Sequence, residues 1–279
     1  MQRKLSPGLH VAATPIGHLG DVSSRLREAL SAADRIVCED TRVTGKLLSA
    51  LDLSGRPLSA YHEHNAEKVR PGVIRELESG AAIVLVSDAG TPLISDPGYK
   101  LVREARDRNI PVVAIPGPSA LIAALSIAGA PTDAFSFLGF LPKGAGQRAT
   151  LLNGLKERGE TLVFYETGPR IAASLQSVAE TLGPRTVAVA RELTKVHEEL
   201  VEGPADQLAA RYQAAPPKGE IVLIVHPATT PEAVDLDGLL TELLGRESLR
   251  ESARIAAEMT GRPRKECYAR ALELQKTSS

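Results

Sequence analysis

The sequence predicts an α/β chain with two sheet-bearing parts, a mostly parallel sheet followed by a mixed sheet, and a small helical tail. Three observations carry that reading. Short β-branched runs alternate with amphipathic helical stretches as far as Gly129, the pattern of a parallel sheet covered by helices. Past Gly129 the spacing changes, and further strand-like runs separated by helices read as a mixed sheet. After Pro227 a linker containing Thr and Pro precedes three short helical segments. The expected parts are 1–115, 116–229 and 230–279.

Residues 9–13 read as a short apolar strand broken by the turn Thr14-Pro15-Ile16-Gly17, and caps at 21–24 start a helix through Leu30. A second strand, 35–39, ends in Glu39-Asp-Thr-Arg42, with helical spacing over 44–51. A third, 57–61, leads to His62-Glu-His-Asn65 and an amphipathic helix over 67–78. The apolar run 83–86 is a buried strand that empties into a stiff polar loop, Ser87-Asp-Ala-Gly-Thr-Pro-Leu-Ile-Ser-Asp-Pro-Gly98. Within it Asp96 and Pro97 read as N-cap and first-turn proline of a helix over 99–107. Strand five is 111–115, and Pro116-Gly-Pro-Ser-Ala120 opens the next helix.

In the second part, 135–140, 161–166, 186–190 and 220–225 are strands, and 141–148 reads as a loop carrying Lys143 and Arg148. The tail helices are expected over 236–244, 248–259 and 263–274. Between the last two, Thr260-Gly-Arg-Pro263 resembles the break of a helix-turn-helix.

A formal net charge of -1 with 24% charged residues leaves no global field to draw the chain to nucleic acid, so such contacts must come from local patches. Aromatic residues are 3% of the chain and Trp is absent, which argues against a broad base-stacking surface. No long apolar run and no signal-peptide pattern occur, so no membrane contact and a cytoplasmic location are expected. Cys38 and Cys267 lie far apart without metal or redox spacing and read as reduced thiols. Neither a Walker phosphate loop nor G-x-G-x-x-G after a strand is present. What remains is a set of Gly, Pro, Ser and Asp loops at the ends of strands one, four and five. Such loops present backbone N–H and C=O groups at fixed angles, suited to a small ligand with many hydrogen-bonding edges.

The order of these loops resembles a known family. Ala13-Thr-Pro-Ile-Gly17, Glu39-Asp-Thr-Arg42, His62-Glu-His-Asn65, the twelve-residue loop 87–98, Pro116-Gly-Pro-Ser-Ala120, Gly139-Phe-Leu-Pro142, Arg191-Glu-Leu-Thr-Lys195 and Lys218-Gly-Glu220 occur in sequence. Together they resemble the ribosomal RNA small subunit methyltransferase I family, within the tetrapyrrole methylase fold, over about residues 8 to 226. That family often carries Asn where this chain has His18, and Ser-Pro-His-Arg where it has Thr167-Gly-Pro-Arg170. The resemblance implies S-adenosylmethionine as methyl donor, a two-domain α/β homodimer, and 2'-O-methylation of a cytidine in the decoding region of 16S rRNA in the small ribosomal subunit. It also implies that the donor lies between the two sheet-bearing parts. Pro15, Ile16, Asp88, Gly90, Thr91, Ser119 and Ala120 would touch it from one side, and Tyr165, Glu166, Lys218 and Gly219 would close it from the other.

A sulfonium donor brings its own leaving group, so the protein has to align a hydroxyl with the methyl carbon and exclude water. A ribose hydroxyl is a weak acid, and a base or a cation near the nascent alkoxide assists. Candidates are Asp40, Glu39, Glu192 and Lys195; Asp40 and Arg42 also read as a structural pair holding a loop. His62 and His64, two apart, are expected on one face of a strand, and with no third ligand no metal is expected. With Asn65, Arg42, Lys143 and Arg148 they read as RNA or loop contacts. The tail carries eight Lys/Arg and seven Asp/Glu from Leu236 onward; Arg262, Arg264, Lys265 and Arg270 fall on or beside its last helix, placed to meet phosphates or forming the solvated face of a small bundle or dimerisation element. Two other readings stay open at this level: a methyltransferase of the same fold acting on a small molecule such as a tetrapyrrole, and a ligand-sensing nucleic-acid-binding regulator.

Overall fold

The computed structural model describes residues 5–228, 236–260 and 262–277; the linker expected after Pro227 and Gly261 of the expected tail turn lie outside the described residues. Five parallel strands, β1 (Gly8–Ala12), β2 (Arg35–Cys38), β3 (Leu58–Ala60), β4 (Ala82–Val86) and β5 (Val112–Ile115), form the first sheet in the order β3-β2-β4-β1-β5. Strand β4 shows why the sequence is continuously apolar there. Ile83 and Leu85 pack against helices α3 (Ala66–Glu78) and α4 (Tyr99–Asp107), while Val84 and Val86 pack against α1 (Ser24–Ala32) and α2 (Thr41–Ala50). A parallel strand covered on both faces has no polar side to show.

This arrangement fixes where a ligand can sit. Connections leaving β1 and β2 run over one face, and those leaving β3 and β4 run over the other. The carboxyl ends of the neighbours β1 and β4 therefore flank a topological switch point, where their loops diverge and leave a crevice.

The second sheet contains β6 (Phe135–Phe140), β7 (Thr161–Thr167), β8 (Thr186–Arg191), β9 (Glu199–Pro204) and β10 (Glu220–Val225) in the order β6-β7-β10-β8-β9. Only β6 and β7 pair in parallel; the other pairs are antiparallel. Leu162, Phe164, Val189 and Leu223 face a core completed by α6 (Ala145–Asn153), α7 (Gly168–Leu182) and α8 (Ala205–Ala214). The opposite face, with Val163, Ala188, Ala190 and Val222, packs on α5 (Ala120–Ile127) and on Ile16 from the loop after β1. Ile16 thus carries the first sheet's loop into the core of the second.

Several sequence expectations change. Residue 145 opens a helix, so Arg148 is helical rather than in a loop. Asp96 does not cap α4: the helix starts at Tyr99 behind Gly98, whose φ of 135° suits a residue without a side chain. His62 and His64 follow the end of β3 in the turn before α3, so they share no strand face; their rings meet edge-on at 6.0 Å. Helix α2 begins at Thr41, earlier than expected, because Asp40 caps it by accepting from Arg42 N–H. Strand β9 was not expected; two glutamates and a Gly-Pro ending within six residues hide an edge strand from a propensity reading. His18 does the work of a capping Asn, its Nδ1 accepting from Gly20 N–H at 3.0 Å.

Contact density separates the chain into two compact units, Met1–Pro227 and Ala228–Ser279. In the second, α9 (Leu236–Leu244), α10 (Leu249–Thr260) and α11 (Arg264–Thr277) close over Leu240, Ala253, Ala256, Cys267 and Ala271. Arg270 ties α11 to α9 through Asp237 at 2.5 Å. Both cysteines are buried and unpaired with each other. Among the described residues no helix is long and apolar enough to cross a membrane.

Gly168 opens α7 where a Cβ would sit 1.9 Å from the Pro217 carbonyl oxygen, a main-chain atom that cannot step aside. Replacing it with Ala is expected to cost about 1–3 kcal/mol by overpacking. Urea denaturation of Gly168→Ala checks this, and an unchanged midpoint would contradict the packing described.

Candidate functional site

Three loops converge at the switch point, and short polar contacts fasten them together. Thr14 N–H donates to the Gly90 carbonyl at 2.9 Å and Gly90 N–H returns to the Thr14 carbonyl at 3.1 Å. The buried Thr14 hydroxyl donates to Ser87 O at 3.2 Å, and the Thr91 hydroxyl donates to Pro118 O at 3.1 Å. Gly117 lies so close to Ala13 that a Cβ would fall 3.1 Å from the Ala13 Cβ. Gly90 adopts a φ of 80°, which a side-chain-bearing residue reaches only with strain. The loops after β1, β4 and β5 are therefore one rigid wall.

Facing it is the second sheet. A cavity of about 300 Å³ lies between them, within the first compact unit. Of the residues singled out in the sequence, Ile16, Asp88, Gly90, Thr91, Ala120, Tyr165, Glu166, Glu192 and Lys195 line it. Pro15, Ser119, Lys218 and Gly219 stand in the adjoining loops without lining it, and Asp40 touches it only indirectly, its N–H donating to Asp88 Oδ1 at 3.0 Å. Ile94, Ser95, Asp96, Phe140, Leu193 and Glu220, not expected from the sequence as ligand contacts, also line the cavity. Ser95 and Asp96 lie in the polar loop 87–98, where Asp96 before Pro97 has the form of a helix cap.

Strand alternation sorts the β7 residues. Tyr165 faces the cavity, packed edge-on against Phe137 at 4.8 Å and Phe140 at 5.7 Å. Glu166 points to the opposite face, where its side chain is wholly buried beside Arg170 at 3.0 Å. Burial pushes the Glu166 carboxyl up and Arg170 opposes this. Only the Glu166 main chain is left to meet a ligand.

On the far rim Lys195 Nζ lies between Glu192 Oε1 at 2.9 Å and Glu220 Oε2 at 3.0 Å. Burial pulls its pKa down, but the two carboxylates outweigh burial and hold the ammonium protonated. The same lysine holds Glu192 below the usual carboxylate range. Two glycines make room for the network: a Cβ on Gly219 would lie 2.3 Å from Glu192 Oε1, and one on Gly17 would lie 2.6 Å from Lys195 Cγ. His18 N–H donates to Thr194 Oγ1 at 3.1 Å, so this rim is also tied to the loop after β1.

Other candidates are placed differently. Hydrogen bonds from Arg42 push the Asp40 carboxyl down to about 2, which leaves it a poor proton acceptor and supports the structural-pair reading of these two residues. Asn65 spends its amide on the local turn, accepting from His62 N–H at 2.8 Å and donating to Ala60 O at 3.0 Å. Arg148 is 6% exposed and donates to Ser177 Oγ and to the Pro142 and Lys143 carbonyls. Its guanidinium is an internal brace and is not presented to RNA. Arg42, His64, Lys143, Arg262, Arg264 and Lys265 are exposed, with Arg262 paired to Glu266 at 3.0 Å.

Asp96 stands out electrostatically. Burial, aided by the Glu39 and Asp88 carboxylates and opposed by the Ser87 hydroxyl, raises it to about 6. Burial and Asp88 likewise raise Glu39.

Comparison with known proteins gives a consistent set of likenesses. Residues 8–209 match the family of Tetrapyrrole (Corrin/Porphyrin) Methylases, and residues 230–275 match an RsmI C-terminal HTH domain. A "Ribosomal RNA small subunit methyltransferase I" of Mesorhizobium japonicum is 49% identical over 99% of this chain and 95% of its own length. One of the same name from Erythrobacter litoralis is 49% identical over 97% and 96%. Among solved structures, the methyltransferase CobJ superposes with a TM-score of 0.60 at 19% identity, covering 80% of this chain and 95% of that one. Uroporphyrin-III C-methyl transferase from Thermus thermophilus, complexed with S-adenyl homocysteine, gives 0.54 at 16% identity over 78% and 96%. At such identities the structural likeness concerns the fold.

The raised Asp96 has a consequence for stability. Its folded pKa of about 6 lies above the unfolded value of about 3.9. The native state thus holds the proton more tightly, and this group's contribution is full below the unfolded pKa and lost as pH rises through the folded one. Asn mimics the protonated carboxyl, so Asp96→Asn is expected to melt above the wild type at about pH 8 and level with it near pH 4. Thermal melts at the two pH values check this; an equal or lower melting point for the variant at the higher pH contradicts it.

Proposed function

The chain belongs to the tetrapyrrole methylase family and, within it, to the ribosomal RNA small subunit methyltransferase I proteins, and from that premise we propose that it transfers a methyl group from S-adenosylmethionine to the ribose 2'-hydroxyl of a cytidine in 16S rRNA. The observation that supports the acceptor is the likeness to relatives so named over nearly the whole chain, the C-terminal helical unit included. In this reading the enzyme acts in the cytoplasm on the small ribosomal subunit, and works as a homodimer. Ile122 and Ile127 of α5, 54% and 47% exposed, give a second copy an apolar face to cover.

The cavity fits the donor chemically. Its volume is at the lower end of small-molecule pockets. Ile16, Ala120, Leu193 and Val222 offer apolar surface to a flat base, and Gly90, without a side chain, lets the main chain approach closely. Asp88 places negative charge on the wall that a cationic sulfonium would face. Asp88 is fixed by the Asp40 N–H and is suited to accept from the donor's amino or ribose groups. S-adenosylmethionine supplies an activated methyl group with its leaving group built in.

What remains for the protein is alignment, exclusion of water and management of one proton and one developing charge. Tyr165 and Phe140 form a stiff aromatic side to the cavity that keeps the reacting groups dry. Lys195, held protonated between Glu192 and Glu220, is a fixed cation for an oxygen that gains negative charge. Lys143 and the tail cations Arg262, Arg264 and Lys265 are the exposed positive groups that RNA phosphates would meet.

Mapping methyl groups by mass spectrometry on 16S rRNA from a strain lacking the gene, before and after incubation with the protein, tests the assignment. The expected result is one cytidine ribose that gains its methyl. A methyl on a base, or none on rRNA and one on a tetrapyrrole, would overturn it. For the donor site, Asp88→Ala is expected to weaken S-adenosylmethionine binding by about 10- to 100-fold in calorimetry, the loss of a charge-assisted hydrogen bond; unchanged binding would move the donor elsewhere.

A further inference from the structure

Five carboxyl-bearing residues line the cavity: Asp88, Asp96, Glu166, Glu192 and Glu220. Four of them are committed. Asp88 Oδ1 accepts from Asp40 N–H. Glu192 and Glu220 share the Lys195 ammonium, and Glu192 also accepts from Glu220 N–H at 3.2 Å. The Glu166 side chain is turned to the far face of β7 against Arg170. Among the described residues no cation pairs with Asp96; its neutral polar neighbour is the Ser87 hydroxyl, and its charged neighbours are the Glu39 and Asp88 carboxylates. Tyr165 faces it from β7, and the Glu192, Lys195 and Glu220 network lies on the same cavity.

The backbone keeps Asp96 at that wall. Leu93 and Ser95 both take positive φ, 73° and 65°, an uncommon pair of conformations for residues with side chains. Gly98 then starts α4, so the Asp96 carboxylate is free of the capping role that its place before Pro97 implied.

We propose that Asp96 is the general base of the reaction, taking the proton of the acceptor hydroxyl as the methyl group is transferred; this rests on the ribose-methylation reading above. The O–H bond breaks and its proton passes to an Asp96 carboxylate oxygen. The electron pair stays on the hydroxyl oxygen, which forms the new bond to carbon. The pair of the broken carbon–sulfur bond stays on sulfur, leaving a neutral thioether. Proton affinity supports the assignment: at about 6 Asp96 is ionised at neutral pH yet more basic than an ordinary carboxylate, which is what a general base requires. Of the other carboxylates considered, Asp40 is held near 2 by Arg42, Glu192 is held below the usual range by Lys195, and Glu39 does not line the cavity.

The test uses the full-length protein with small subunits lacking the methyl group. Single-turnover rates against pH are expected to fall on the acid side in wild type with a midpoint of about 6. In Asp96→Asn the rate should drop by about 100-fold or more and that acid limb should vanish. Calorimetric affinity for S-adenosylmethionine should stay within about threefold of wild type. Without any turnover, a ¹³C-carboxyl aspartate resonance titrating near 6 should be present in wild type and missing from the variant. Asp96→Glu should restore part of the rate with a displaced limb. An Asn variant that methylates within about threefold of wild type, keeps the acid limb, or loses donor binding overturns the proposal, the last by making Asp96 a donor contact. If wild type methylates a ribose and the variant is unimpaired, only this inference fails. If wild type methylates no hydroxyl, the ribose reading fails, and the need for a base falls with it.

Discussion

Two main-chain hydrogen bonds between Thr14 and Gly90 join the loops that leave the neighbouring strands β1 and β4 in opposite directions. A switch point in a parallel sheet is open because its loops diverge; here the divergence is arrested at one place, and everything beyond it is held by that fastening. Gly90 has to take positive φ to make the pair. The Thr14 hydroxyl then reaches the strand-end carbonyl of Ser87, Thr91 reaches Pro118, and Ile16 is delivered into the apolar core of the second sheet. One bridge thereby sets the position of Asp88, the approach of Ala120 and the seating of one sheet on the other. Each polar contact contributes about 1 kcal/mol, but together they remove alternatives that a loop of Gly, Ser and Pro would otherwise sample.

Across the cavity the charges are ordered by what each carboxylate touches. Glu192 and Glu220 share the one ammonium of Lys195, Asp40 pairs with Arg42, and Glu166 pairs with Arg170 on the hidden face. Asp88 has a backbone donor. Asp96 has burial and like charge around it, which raises its affinity for a proton. The result is a pocket that holds a fixed cation on one rim and a proton acceptor on the opposite wall, the division of labour needed to deprotonate a weak acid while its oxygen becomes a nucleophile.

Much of this was legible in the residues. The alternation of strands and helices gave the parallel sheet, because β4 is apolar on both faces, and the Gly/Pro/Asp loops gave the site, because turn chemistry is local. What was not legible depended on pairing and direction. Strand β9 is an edge whose residues look like a loop until β8 binds it. Arg148 reads as a surface cation until α6 and α7 close over it. Glu166 and Tyr165 are neighbours in sequence, and only the strand's register sends one to the cavity and the other away. Asp96 before Pro97 has the form of an N-cap, but Leu93 and Ser95 turn the loop so that Gly98 is the residue that precedes the helix at Tyr99.

If the methyl donor reacts in the cavity between the wall at Gly90 and the rim at Lys195, a crystal structure of the protein with S-adenosylhomocysteine will show the nucleoside between Gly90, Ile16 and Ala120, with the sulfur directed to the space between Asp96 and Lys195. A product molecule bound outside this cavity, or one inside it with the sulfur turned away from Asp96, would rule that placement out.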